Sequence, residues 1–312
     1  MQKKHNLITV MGATAGGKTS FAVAIAQELK SEIISADSRQ VYRGMDIGTG
    51  KDIEEYTYKG EKIPYHLIDI LDAGNKYNVF EYQKDFLRVY EALRHKAIIP
   101  VLCGGTGMYI EAVLEGYRLI RVPKNKELRE QLKAKSDKQL SAILKAHKEL
   151  HNISDTSNRK RLMRAVEIAL YSADHPDIDM NYPEINSLNL QVVFSRDERR
   201  KRITERLNSR IEQGMIEEVE QLTASGVPPE TLEYYGLEYK FITQYLLNKM
   251  NKTEMIEQLR IAIHQFSKRQ MTWFRKMEKS GIPVVKIDGR LPIEKKLDVV
   301  RKRLKYSKQT EE

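Results

Sequence analysis

One cysteine, Cys103, in 312 residues excludes a disulfide framework and any zinc site built from several thiolates. No run approaches the ~18 apolar residues of a membrane span. Met1-Gln2-Lys3-Lys4-His5-Asn6-Leu7 passes straight into a short apolar strand with no signal-peptide core. A cytoplasmic chain that engages no membrane is therefore expected. There is no internal repeat. What is present suits a globular protein, with 41% hydrophobic residues to build a core and 31% charged residues to cover it. At roughly 150 residues per domain, the length fits one large domain or a core carrying an insert.

The positive charge is unevenly placed. Lysine and arginine number 53 against 43 aspartates and glutamates, and eight of the ten surplus charges fall within residues 116–170. A local basic block on a balanced chain suits a phosphate-backbone partner, whose bound counterions it would release. A solvated, lysine-rich helical face is the plainer alternative.

Leu7–Met11 reads as a buried strand, followed by a glycine-rich turn from Gly12 to Gly17. A helix follows, with Phe21, Ala22, Ile25, Ala26 and Leu29 at helical spacing. Glu32–Ala36 is a second strand ending at Asp37. Phe80–Leu93 returns to helical spacing, and Ile98–Cys103 makes a third strand. This alternation predicts right-handed βαβ units and a parallel sheet. From about 116 the strand signal stops and 126–171 reads as helical. Leu190–Phe194 is strand-like again. One long helix is expected over about 197–222, another over 253–277, then a strand at Pro283–Ile287 and a basic tail. The predicted organisation is an α/β core, residues 1–115 and 189–312, around a basic helical insert, residues 116–188.

Gly12-Ala13-Thr14-Ala15-Gly16-Gly17-Lys18-Thr19 fits G-x-x-x-x-G-K-[ST] between a strand and a helix, the context that motif needs. Its backbone amides and Lys18 would hold a diphosphate or triphosphate, and Thr19 would offer a hydroxyl to magnesium. A nucleotide hydrolase would also show a strand ending in a magnesium-binding aspartate. The second strand instead leads into Asp37-Ser38-Arg39-Gln40, and the third into Cys103-Gly104-Gly105-Thr106 without a carboxylate. Asp37 sits where open α/β sheets place reacting groups, although position alone also suits a turn aspartate.

These blocks, in this order, resemble the tRNA dimethylallyltransferases. The resemblance is carried by Gly12–Thr19, Asp37–Lys51, Tyr65–Asp69, Gly104–Tyr109, Asn158–Glu167 and Lys268–Arg275, and so spans most of the chain. It implies a P-loop NTPase-like parallel sheet flanked by helices, with an all-helical insertion domain. The implied reaction moves a dimethylallyl group from dimethylallyl diphosphate to N6 of the adenine 3′ of a tRNA anticodon. The phosphate loop, Gly12, Ala13, Thr14, Ala15, Gly16, Gly17, Lys18 and Thr19, would then hold the leaving diphosphate. By the same resemblance Arg206 joins that site, Thr106 lies across the channel, and Asp37 is the base that accepts the amine proton. The implied tRNA contacts are Ser38, Arg39 and Gln40 around the base, and Arg129, Lys160, Arg161, Leu162, Met163 and Arg164 in the insert. Magnesium is the implied metal, the anticodon stem-loop the partner, and a monomer the expected form.

Without the resemblance, Arg206 reads as a surface helix arginine and Thr106 as a turn residue. Arg161 and Arg164, three apart, share a helical face that suits either phosphates or water. Trp273 and Phe274 continue an apolar period and read as core. Ala13 and Gly16 replace the family's usual proline and serine, and Asp52 a common proline. Tyr234–Lys240 departs from its Gly-Tyr-Lys/Arg-Glu/Gln pattern, with Leu237 in the tyrosine position. A small-molecule P-loop kinase, an AMP isopentenyltransferase and a non-catalytic RNA-binding module are the rival readings.

Overall fold

The computed structural model describes residues 5–147, 158–175 and 181–309, with the side chains of the last helix described through Leu304. Its strands are β1 (Leu7–Gly12), β2 (Ile33–Ser35), β3 (Thr57–Tyr58), β4 (Glu61–Lys62), β5 (Tyr65–His66), β6 (Val101–Gly104), β7 (Ser187–Val193) and β8 (Val285–Asp288). Six form one sheet in the order β5-β2-β6-β1-β7-β8, and β3 and β4 pair as a small hairpin. Every pairing described in the large sheet is parallel.

The helices are α1 (Lys18–Leu29), α2 (Val79–His95), α3 (Gly107–Leu114), α4 (Lys126–Lys133), α5 (Asp137–His147), α6 (Arg159–Asp174), α7 (Arg196–Glu212), α8 (Met215–Ala224), α9 (Pro229–Tyr234), α10 (Leu237–Leu246), α11 (Lys252–Lys279) and α12 (Ile293–Gln309). Alternation along β1 divides the core in two. Leu7 and Met11 join Ile34 and Leu102 beneath side chains of α2, α3 and α11. Ile8 and Val10 join Ile33 and Val101 beneath α1 and α12. Both faces of the sheet are therefore covered, which is why its strands read as continuous apolar runs.

Two helices differ instructively from expectation. The apolar period over 197–222 runs through a break, because Gly214, at φ 99°, ends one helix and starts the next. The period survives the break because Ile211 and Ile216 face the same core. The helix expected at 253–277 is α11, extended slightly at both ends. Asn251 and Glu254 form a reciprocal capping box at its start.

Register fixes what the sheet presents. Val10 pairs with Cys103 and Met11 with Gly104, while Ser35 also pairs with Cys103. Three adjacent parallel strands, β2, β6 and β1, thus end at one level. The loops that follow them, with Asp37, Thr106 and the phosphate loop, emerge together at the carboxyl edge, where open α/β sheets bind ligands.

The chain divides into two compact units, one of 1–116 with 184–312 and one of Tyr117–Pro183. The second has its own core of Leu132, Leu140, Leu144, Leu162, Val166 and Ala169, drawn from α4, α5 and α6. Glu167 is buried beside it. Its carboxylate accepts from Asn125 N (2.8 Å), Arg129 Nε (3.1 Å) and Nη2 (2.7 Å), and Arg164 Nη1 (2.5 Å). Burial alone would raise this carboxyl, but the two guanidiniums and the amide outweigh it and hold it at about 2, below the ordinary 4.5. A depressed pKa stabilises above the unfolded value, so this contribution is complete above pH 4.5 and is lost as pH falls toward 2. Protection factors of the α4 and α6 amides should fall through that window. Glu167→Ala, which removes the shared partner of two arginines that remain about a third open to water, should destabilise the unit by about 1–3 kcal/mol at neutral pH.

Candidate active site

The phosphate loop turns on two left-handed residues, Ala15 (φ 57°) and Gly17 (φ 64°). Gly17 caps α1 without a side chain, which leaves the first amides of that helix open. Thr19 is the second residue of the helix, and its side chain is half-buried. Lys18 curls back so that Nζ donates to the Ala13 carbonyl at 2.8 Å. Arg202 Nε bonds the Ala15 carbonyl at 2.9 Å, bracing the loop from α7.

A cavity of about 640 Å³ opens over this loop. Its walls include Thr14–Thr19, Asp37–Gln40, Thr106, Arg206, Arg210 and Trp273. Burial, with the charge of Arg206 adding to it, pushes the Lys18 ammonium below its ordinary pKa. Burial and the same neighbour push Arg210 down to about 10, although Asp52 grips it at 2.9 and 3.0 Å. Among the described residues, neither Lys18 nor Arg206 has a carboxylate at ion-pair distance. Glu55 and Glu238 also line the wall. Burial pushes both carboxyls up, helped at Glu55 by the charge of Asp52, so neither is a firm counter-ion. Lys18 and Arg206, half-buried cations without a carboxylate at ion-pair distance, are suited to receive an anion.

Opposite stands the loop after β2. Asp37 Oδ1 accepts from the Arg39 amide at 2.9 Å, which fixes the carboxylate and leaves Oδ2 for another partner. Thr106 Oγ1 accepts from Ser38 N at 3.0 Å, tying the loops of β2 and β6 together. Gln40 is anchored, accepting from Ser35 Oγ (3.1 Å) and donating to the Gly50 carbonyl (2.9 Å). Arg39 lies over the Tyr234 ring.

The insert residues singled out by sequence lie in the second unit. Lys160 and Arg161 are exposed there. Leu162 is 2% exposed in that unit's core, and Met163 packs against the same cluster. Arg129 and Arg164 are both held on Glu167, and Arg164 also donates to the Val122 carbonyl at 2.7 Å.

Several structural residues carried no role in the sequence reading. Gln270, on α11, accepts from Thr14 N at 2.9 Å and donates to Gly105 O at 2.8 Å, clasping the phosphate loop to the loop of β6. Glu218 accepts from the amides of Asp46, Ile47 and Gly48 at 2.7, 2.7 and 3.1 Å, and from the Tyr239 hydroxyl at 2.7 Å. Lys51 is buried among the Tyr42 carbonyl (2.7 Å), Asp46 (2.6 Å) and Asp69. Together these hold the 46–52 loop, which presses Gly50 against Arg206 and Arg210. Gln270 lay inside a block of the resemblance, but Glu218 had no sequence signal. Phe274 is core, as its period suggests, whereas Trp273 turns to the cavity wall and packs on Gly107. Cys103 ends in the same wall, and burial pushes its thiol up to about 12. Leu237 also lines the cavity, and nothing in its surroundings explains the exchange from tyrosine.

A parallel sheet, helices on both faces and a phosphate loop at the carboxyl edge define the P-loop α/β class. Within it, the family model described as IPP transferase matches residues 40–277, and that of isopentenyl transferase matches residues 5–72. A Bacteroides fragilis protein named tRNA dimethylallyltransferase 2 is 55% identical over 301 residues, 96% of this chain and 98% of that one. A Parabacteroides distasonis protein named tRNA dimethylallyltransferase 1 is 54% identical over 296 residues, 95% of this chain and 96% of that one. The solved full-length tRNA isopentenylpyrophosphate transferase of Bacillus halodurans is 28% identical and superposes with a TM-score of 0.72, covering 99% of both chains. The chain belongs to the IPP transferase family.

Proposed function

We propose that the protein transfers a dimethylallyl group from dimethylallyl diphosphate to N6 of the adenine immediately 3′ of the anticodon in tRNA, releasing diphosphate. The observation that carries this reading is the cavity in which Asp37 shares walls with a phosphate loop, Lys18 and Arg206. In the reaction N6 bonds to C1 of the allyl group as the C1–O bond breaks. The bond electrons leave on the diphosphate oxygen, and the amine proton passes to Asp37. Negative charge grows on the leaving group, so fixed cations there lower the barrier. Lys18, Arg206 and the loop amides, which line the same cavity, would supply them. Asp37 Oδ2 accepts from the amine, which strengthens a nucleophile weakened by delocalisation into the purine ring. Thr106 holds the loop that carries this carboxylate.

The residues suit magnesium in its usual phosphate-site form. One hydroxyl, Thr19, stands at the loop, and Mg²⁺ takes few protein ligands and completes its shell with phosphate oxygens and water. No cluster of three or more acidic, histidine or cysteine ligands occurs among the described residues. When bound, the ion would add positive charge at the diphosphate. The adenine must leave its stack to enter the cavity, which an unpaired loop base does more cheaply than a duplex base. Lys160 and Arg161 offer exposed charge to the stem-loop backbone, with Ser38, Arg39 and Gln40 around the base. Arg129 and Arg164 serve by ordering the helices on which that charge is mounted, and Leu162 and Met163 by packing them. No described helix is long and apolar enough to cross a membrane.

The direct test is to incubate the protein with dimethylallyl diphosphate and unmodified tRNA, digest, and weigh the adenosines. One adenosine beside the anticodon should gain a dimethylallyl group, and free AMP should not compete. Consumption of ATP instead, with no prenylated adenosine, would sink the reading. A further outcome concerns Gly50, whose φ of 73° leaves no room for a side chain beside Arg206. Gly50→Ala should displace that guanidinium and raise KM for dimethylallyl diphosphate about ten-fold, the scale of one weakened charged contact.

A further inference from the structure

Two large aromatic side chains stand exposed on the rim of the cavity, Tyr234 at 42% and Phe266 at 39%. Each has a cation against its ring. The Arg39 guanidinium lies 5.3 Å and the Lys76 ammonium 5.9 Å from the Tyr234 centroid, and the Arg269 guanidinium 5.9 Å from that of Phe266. Both mounts are firm. Tyr235, next to Tyr234, is buried, packs tilted against Tyr42 with ring centroids 4.4 Å apart, accepts from Gly74 N and donates to the Asn75 carbonyl at 2.9 Å. Phe266 lies mid-way along α11, the helix that Gln270 ties to two active-site loops.

Exposed aromatic faces interleaved with cations are the means by which proteins hold single-stranded nucleic acid, bases on the rings and phosphates on the charges. Extruding one base also deprives its neighbours of a stacking partner, and that loss falls at the mouth of the cavity. We propose that Tyr234 and Phe266 are stacking platforms for the bases flanking the extruded adenine, and so set which anticodon-loop contexts are accepted. This rests on the functional reading above. It adds to that reading two specificity-determining residues outside the reacting centre.

The test uses the full chain and anticodon stem-loop RNAs, with binding read by anisotropy separately from transfer. Tyr234→Ala and Phe266→Ala should each raise Kd and KM for RNA roughly ten-fold, within the range for losing one stacked base. KM for dimethylallyl diphosphate should not move. Tyr234→Phe should restore binding, because the ring and not the hydroxyl is the platform. Removing one flanking base, as an abasic nucleotide, should weaken wild type by a similar factor and add little in the matching alanine variant. Alanine variants within two-fold of wild type in Kd, or abasic losses that multiply in full, would overturn the platforms. A wild type that binds the stem-loop but transfers nothing would instead overturn the functional reading, with the platforms still judged on Kd. A wild type that does not bind it overturns both.

Discussion

Asp37→Ala should lower the transfer rate at saturating substrates by about 10²–10⁴-fold, the usual contribution of a positioned general base. RNA affinity should change by no more than a few-fold. The two effects separate because the carboxylate spends one oxygen on the Arg39 amide and has the other for the reacting amine. Alanine removes both, but Thr106 still braces the same loop through Ser38 N. Asp37→Asn is the sharper variant, since its amide keeps an oxygen for Arg39 and loses only basicity. Its loss in single-turnover rate should approach that of alanine. A variant transferring at the wild-type rate would remove Asp37 from the proton path.

Lys18→Ala should lower kcat by about 10²–10³-fold, the scale of removing one charged donor from a developing anion. Thermal stability should hold or rise. Those opposite signs follow from the surroundings of the ammonium. Burial and Arg206 depress its pKa, and in the free protein its bond is to a neutral carbonyl. An ammonium so held costs the fold stability and would find its counter-charge in the diphosphate, a trade of stability for function. Calorimetry of the variant alongside its single-turnover rate decides the matter. A large drop in Tm would mean that Lys18 mainly supports the fold.

The strands and the phosphate loop were legible because local signals agreed: an apolar run, a glycine motif and a helical period in register. The same logic overran at Gly214, where hydrophobic spacing continues across a bend that one glycine makes. Spacing placed Arg161 and Arg164 on a shared face. It could not show that Arg129 closes on Glu167, because that pairing depends on α4 meeting α6, whereas Arg164 reaches Glu167 from three residues earlier on the same helix. Nor could spacing separate Trp273 from Phe274, adjacent residues that face a cavity and a core. Glu218 illustrates the general limit. Its partners lie about 170 residues earlier in the chain, and a carboxylate capping three loop amides has no local signature.

Cys103 meets a hazard peculiar to this chemistry. A sulfur nucleophile in the wall of a chamber proposed to handle an electrophilic allyl carbon is a rival acceptor. Burial raises its pKa well above that of a free thiol, which keeps it protonated at neutral pH. Desolvation at the tip of β6 thus keeps the sulfur chemically silent, and the carbon is left for nitrogen.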